Sequence, residues 1–190
     1  GLSAMLTQQW LKHVYRSRSI PAYTSPFVAM SWVLLLFAEP SAPMAHVEMN
    51  LINLFAAEFK GLGQVMFLGH PLAGGLIAMG LLIADRRAFA WALLASAIGL
   101  ASSLLHHETS SALLGLGSYN AVLAALAFSA QREQPWLPLL SIVLALLITP
   151  LFAAMGLATL TAPFILACWL IRAGIQMLGK ANVDTAPCAP

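Results

Sequence analysis

Charge is scarce in this chain. Only 8% of its 190 residues are Asp, Glu, Lys or Arg, whereas 60% are hydrophobic and the mean hydropathy is +0.84. A soluble domain carries roughly 25% charge and about half apolar residues. The deficit excludes an ordinary water-soluble globule, and the apolar excess excludes a disordered chain. Cysteine is nearly absent: Cys168 lies in an apolar segment and Cys188 in a polar tail, so there is no disulfide framework and both read as inert thiols. Basic residues are few, scattered and not interleaved with aromatics, which argues against a nucleic-acid surface. No nucleophile motif gathers the Ser, His and Asp residues, so nothing points to an enzyme, and no cofactor motif or metal site is expected. His106, His107 and Glu108 are adjacent on a short loop and read as solvated rather than as ligands. The chain opens at Gly1 without a start Met or a signal-like segment, which predicts that it is part of something longer.

What is present is a series of apolar segments: 26–38, 44–59, 71–84, 88–105, 112–129, 136–151 and 163–178. Several approach the ~20 residues that a helix needs to cross a bilayer. The expected fold class is therefore an all-α, polytopic membrane protein. If 88–105, 112–129, 136–151 and 163–178 each cross, Arg86, Arg87, Arg132 and Lys180 share one side. The His106–Glu108 loop and the 151–160 loop take the other. Positive charge marks the cytoplasmic side, which puts the C-terminus inside. Segment 44–59 carries Glu48, Asn50, Asn53 and Glu58 in a polar stripe and predicts an interfacial or re-entrant helix. The Trp residues at 10, 32, 91, 136 and 169 suit interfacial belts, and Arg172 suits a snorkelling position near a helix end. Residues 179–190 read as a disordered tail.

The most informative feature is an internal repeat. Residues 20–27 read Ile-Pro-Ala-Tyr-Thr-Ser-Pro-Phe, and residues 157–164 read Leu-Ala-Thr-Leu-Thr-Ala-Pro-Phe. In one register Thr24 matches Thr161, Pro26 matches Pro163, Phe27 matches Phe164 and Trp32 matches Trp169. The organisation expected is the end of a first repeat in 1–38 and a nearly complete second repeat in 44–178, with most of the first copy missing. Transport proteins are often built from two such repeats, with the substrate site between them near the membrane midplane.

Proline favours the first turn of a helix, so Pro163 marks a helix start with Thr161 just before it. The apolar run from there to Lys180 is short for a full crossing, so Thr161 is expected at membrane depth. A broken backbone at that depth must be buried in protein or line a wet cavity. The same reasoning holds for Thr24. Two threonines, one from each repeat, are thus candidates to face one path, the plainer alternative being that each caps its own helix.

With the repeat established, the second copy resembles the urea transporter family. Gly61-Leu62-Gly63-Gln64-Val65-Met66-Phe67 is similar to that family's Gly-x-x-Gln-Val segment, and His70-Pro71-Leu72-Ala73-Gly74 to its Asn-Pro-x-x-Gly. Gly115-Leu116-Gly117-Ser118-Tyr119-Asn120-Ala121-Val122-Leu123 resembles its Gly-[Tyr/Phe]-Asn-x-x-Leu element, and Leu157 to Phe164 its Leu-Pro-x-x-Thr-x-Pro-Phe. The departures are His70 in place of Asn, Ser118 before the Tyr-Asn pair, and Ala158 in place of a proline that Pro21 retains. The resemblance implies an inverted repeat with re-entrant or broken helices. It implies a homotrimer with one pore per protomer, in the plasma membrane or a bacterial inner membrane. The implied function is passive, facilitated diffusion of urea. By the same resemblance Gln64 lines a urea site, Phe67 and Leu123 form a slot for the flat solute, and Thr161 with Thr24 opposite lines the constriction. His70, Pro71, Gly74, Tyr119, Asn120, Pro163 and Phe164 are supporting motif residues.

These residue types suit the solute. Urea is planar, neutral and strongly hydrogen-bonding, and stripping its water without replacement costs several kcal/mol, roughly 2–7 per polar group. A carboxamide and hydroxyls supply donors and acceptors without charge. The stretches 88–105, 112–129 and 136–171 contain no Asp, Glu, Lys or Arg. Ion-coupled carriers usually place ionisable groups at such depths, so uncoupled passage is expected. The alternatives are a carrier of another small neutral solute, such as a short amide or ammonia, and an inactive half-length membrane fragment.

Overall fold

Hydrophobic helices broken by glycine-rich turns dominate the structure. It is a computed structural model that describes residues 21–37 and 48–184, with side chains as far as residue 177, and four isolated positions before them (Met5, Gln8, Gln9 and His13). Among the described residues there are eight helices and no strand. They are α1 (Ser25–Leu35), α2 (Leu51–Gln64), α3 (Pro71–Ala84), α4 (Arg86–Leu105), α5 (Thr109–Leu113), α6 (Tyr119–Ser129), α7 (Leu137–Ala154) and α8 (Ala162–Asp184). Two of them, α4 and α7, are long and apolar enough to cross a membrane, and α1, α3, α6 and the first part of α8 are shorter apolar helices. The all-helical, polytopic membrane class expected from composition is the class observed.

The core forms where α6 packs between α4, α7 and α8. Phe128, Leu137, Ala124, Ala145, Ala167 and Cys168 are fully buried in one cluster, which also takes in Val28 of α1. Leu62, Ala92, Ala95, Val122 and Ile142 form a second cluster between α2, α4, α6 and α7. Alanine is the commonest residue in both, so the backbones approach closely, as membrane helices do when small residues line their contacts. The opposite faces are apolar too. On α3, Leu72, Leu76, Met79 and Ile83 recur at helical spacing and are all exposed, the arrangement a helix shows toward lipid rather than water.

Three boundaries differ from the sequence reading, each for a physical reason. First, 112–129 is not one continuous helix: α5 ends at Leu113, a turn follows, and α6 begins only at Tyr119. The turn is fixed by Gly115, whose φ of +75° needs no side chain, and a Cβ there would stand 2.5 Å from the Gly61 nitrogen. Second, α2 begins at Leu51 and runs on past residue 59 to Gln64. Asn50 caps its start by accepting a hydrogen bond from the Asn53 N–H at 2.7 Å, so part of the polar stripe is a cap. Gly61 and Gly63 do not end the helix; a Cβ on Gly61 would meet Ser118 Oγ at 2.1 Å, so this glycine serves close packing. With 14 residues, α2 is about 21 Å long, short of the ~30 Å hydrocarbon core, as a re-entrant helix must be. Third, α8 continues to Asp184, so 179–184 is helical and not part of a disordered tail. Residues 185–190, with Cys188, and Trp10 lie outside the described residues.

Candidate functional site: two bends that meet

Each repeat motif folds as a sharp bend followed by a helix. Tyr23 and Leu160, one residue before the two threonines, both have positive φ, +47° and +41°. A bulky side chain is strained there and persists only when its surroundings hold it. After each bend the first helical turn closes in the same way: Val28 N–H donates to the Thr24 carbonyl at 3.1 Å and Ile165 N–H to the Thr161 carbonyl at 3.2 Å. Pro26 and Pro163 sit in those first turns, where a missing N–H has no cost.

The two bends face each other. Thr24 Oγ1 and Thr161 Oγ1 are hydrogen-bonded at 2.8 Å, across a sequence separation of 137. Flanking contacts are exchanged between the motifs. Trp32 Nε1 donates to the Ala158 carbonyl at 2.7 Å, and Trp169 Nε1 donates to the Pro21 carbonyl at 2.8 Å. Trp169 and Ala158 are the counterparts of Trp32 and Pro21 in the repeat register, so the exchange has the reciprocal form of a two-fold contact. These indoles therefore bind protein carbonyls, a role the interfacial-belt reading did not include.

Tyr119 and Asn120 hold the second bend. The Leu160 carbonyl accepts from Tyr119 Oη and from Asn120 Nδ2 at 2.9 Å, and Asn120 Oδ1 accepts from the Phe164 N–H at 3.4 Å. Asn120 thus serves a carbonyl before the break and an N–H after it, groups that a broken helix leaves unpaired. Phe164 is buried and meets the Tyr23 ring in a T-shaped contact with ring centroids 5.2 Å apart. Leu123, one turn along α6 from Asn120, is partly buried against the cluster that holds Val28, Ala162 and Phe164.

Phe67 approaches from the end of α2. Its N–H donates to the Gln64 carbonyl and the Leu68 N–H to that of Gly63, the pair of bonds that closes a Schellman cap. Phe67 takes the left-handed position of that cap, φ +59°, where glycine is usual. It is two-thirds exposed, and its ring packs on exposed Phe27 with centroids 5.6 Å apart at 53°. Gln64 is part-buried and donates from Nε2 to the Leu114 carbonyl at 3.2 Å, leaving its Oε1 as an acceptor. Thr24, Phe27 and Phe67 are exposed, the buried Thr161 is joined to Thr24 by its hydroxyl bond, and Gln64 lies on the cap that carries Phe67.

The supporting residues are placed by packing. His70 caps α3, its Nδ1 accepting from the Leu72 N–H at 3.3 Å, and Pro71 opens that helix. Gly74 lets α3 lie on α2: a Cβ there would fall 1.7 Å from the Phe59 carbonyl oxygen. A cavity of about 440 Å³ opens by the His106–Glu108 loop, lined by Ser102, Ser103, Ser111, Thr149 and Thr159 among others, and Tyr119 connects it to the bend.

A family model described as urea transporter matches residues 1–174. The chain belongs to the urea transporter family. Passive transport of urea across a membrane is the function that this membership carries, and urea is the substrate. The urea transporter is a channel or carrier rather than an enzyme by family. Three residues that pack at the two bends were not candidates in the sequence reading. Phe27 was visible only as a motif match, although its partner Phe67 was a candidate. Tyr23 and Arg172 meet across 149 residues, Arg172 Nε donating to Tyr23 Oη at 2.8 Å. Nothing local in the sequence marks this bond, which Arg172 makes while partly exposed.

Proposed function

We propose that urea crosses between the two bends, over the surface formed by Phe27, Phe67 and Gln64 and past the Thr24–Thr161 pair. The observation that carries this reading is the 2.8 Å contact between hydroxyls of the two repeat-related threonines. Both have uncharged donors and acceptors, and both sit where helices break. A urea molecule entering between them exchanges one hydrogen bond for two, which offsets part of its dehydration. The Gln64 Oε1 accepts from a urea N–H, and the exposed rings of Phe27 and Phe67 select for a flat solute. Leu123 supplies apolar wall beside Phe164. Tyr119, Asn120, Pro163, Phe164, His70, Pro71 and Gly74 support this surface without contacting solute.

In this reading residues 1–38 and 44–178 belong to two repeats related by a two-fold axis, which the reciprocal tryptophan bonds support. Assembly as a homotrimer, one path per protomer, follows the family likeness. A plasma-membrane location, in a bacterium the inner membrane, with the C-terminus cytoplasmic, rests on the positions of Arg86, Arg87 and Arg132.

Stopped-flow urea flux into proteoliposomes tests the path. Thr161→Val keeps the shape and removes the hydroxyl, and Gln64→Ala removes the carboxamide. Each is expected to cut flux several-fold, roughly the worth of one hydrogen bond. Wild-type flux in both variants would overturn the assignment.

A further inference from the structure

The two bends are held by different means. Among the described residues, the Leu160 bend is gripped through its backbone by Tyr119 and Asn120. The Tyr23 bend is gripped through its side chain. Arg172 Nε donates to Tyr23 Oη at 2.8 Å, and the guanidinium carbon lies 5.9 Å from the Tyr23 ring centroid and 5.7 Å from that of Phe128. Phe164 closes on the same ring. The equivalent positions in the repeat register are Leu160 and Leu35, so the arrangement has no two-fold counterpart.

We propose that Arg172 and Tyr23 are a positioning pair that fixes the Thr24 hydroxyl against Thr161 and so sets how large a solute can pass. The proposal rests on the reading of the threonine pair as the constriction. Three observations carry it. Tyr23 is a bulky residue at positive φ, a conformation that needs an external hold. Arg172 is only partly exposed and lies beside the fully buried Phe128, a costly place for a cation unless it gains donors and ring faces, and it has both. The planar guanidinium can lie near two rings and donate from Nε at once, which an ammonium cannot. Finally, Arg172 is on α8, about three turns beyond Thr161. One helix therefore carries the second hydroxyl directly and holds the first through Tyr23, so the two cannot drift apart independently.

The test is the ratio of methylurea to urea flux in proteoliposomes of the full chain. Tyr23→Phe, which keeps the ring contacts, and Arg172→Gln are each expected to raise that ratio roughly threefold or more, the worth of one hydrogen bond. Thr24→Val is expected to raise it too, and Tyr23→Phe added to Thr24→Val to raise it no further. A pair that only stabilised the fold would lower both fluxes in proportion and leave the ratio unchanged. If Arg172→Gln fails to fold, Tyr23→Phe alone decides. An unchanged ratio in Tyr23→Phe alongside a raised ratio in Thr24→Val overturns the pair but not the constriction. Additive effects in the double variant overturn it as well. An unchanged ratio in Thr24→Val overturns the constriction and the pair together.

Discussion

Phe67 occupies a helix cap where its own backbone conformation favours glycine. A left-handed L-residue costs about 1–2 kcal/mol, so the ring is kept there against local preference. Phe67→Gly and Phe67→Ala both lose the ring contact with Phe27, but only glycine relieves the strain. The glycine variant is therefore expected to be more stable than the alanine variant by about 1–2 kcal/mol, by thermal unfolding in detergent, while both lose urea flux. A neighbouring pair of glycines separates packing from propensity. Gly74→Ala would press a methyl into the Phe59 carbonyl and is expected to cost roughly 1–3 kcal/mol. Gly75→Ala meets nothing within 4 Å and is expected to stabilise α3 by roughly 0.5–1 kcal/mol. At this scale the sequence was partly legible. The family likeness picked out Gly74 as a motif residue, but the difference between Gly74 and Gly75 depends on which one faces Phe59.

Among elements, the reciprocal indole bonds make a graded prediction. The Trp169 bond to Pro21 is part-buried, whereas the Trp32 bond to Ala158 is exposed and water can replace it. Trp169→Phe is expected to cost about 1 kcal/mol and Trp32→Phe less, read as the shift in unfolding midpoint. Helix starts were legible because proline and threonine have local reasons to stand there. Interruptions inside apolar runs were not. The stretch 112–129 is uniformly hydrophobic, and its break at Gly115–Ser118 is set by how tightly that turn is wedged against α2 and α4, where Gly61 and Gly99 make room for Ser118. Hydropathy sees transfer to lipid and is blind to such a fit. Likewise Phe27 and Phe164 hold identical motif positions, yet one is exposed against Phe67 and the other buried under Tyr23. The pattern is local, and burial is decided by neighbours distant in sequence.

For the whole molecule, the absence of ionisable side chains from 88–105, 112–129 and 136–171 bears on energetics of transport. A neutral solute carries no charge of its own, and with no ionisable group in those stretches its passage needs no proton gradient. Urea flux is expected to be unchanged by a protonophore or an imposed membrane potential, and planar-bilayer recordings are expected to show no urea-dependent current. The threonine contact adds a statement about direction. Two hydroxyl oxygens at 2.8 Å share a single proton on the line between them, and either can be the donor. Turning both O–H bonds reverses the polarity of the pair without moving a heavy atom. In the proposed path either hydroxyl can therefore offer urea its proton or its lone pair, and inward and outward permeabilities measured at equal and opposite gradients are expected to coincide.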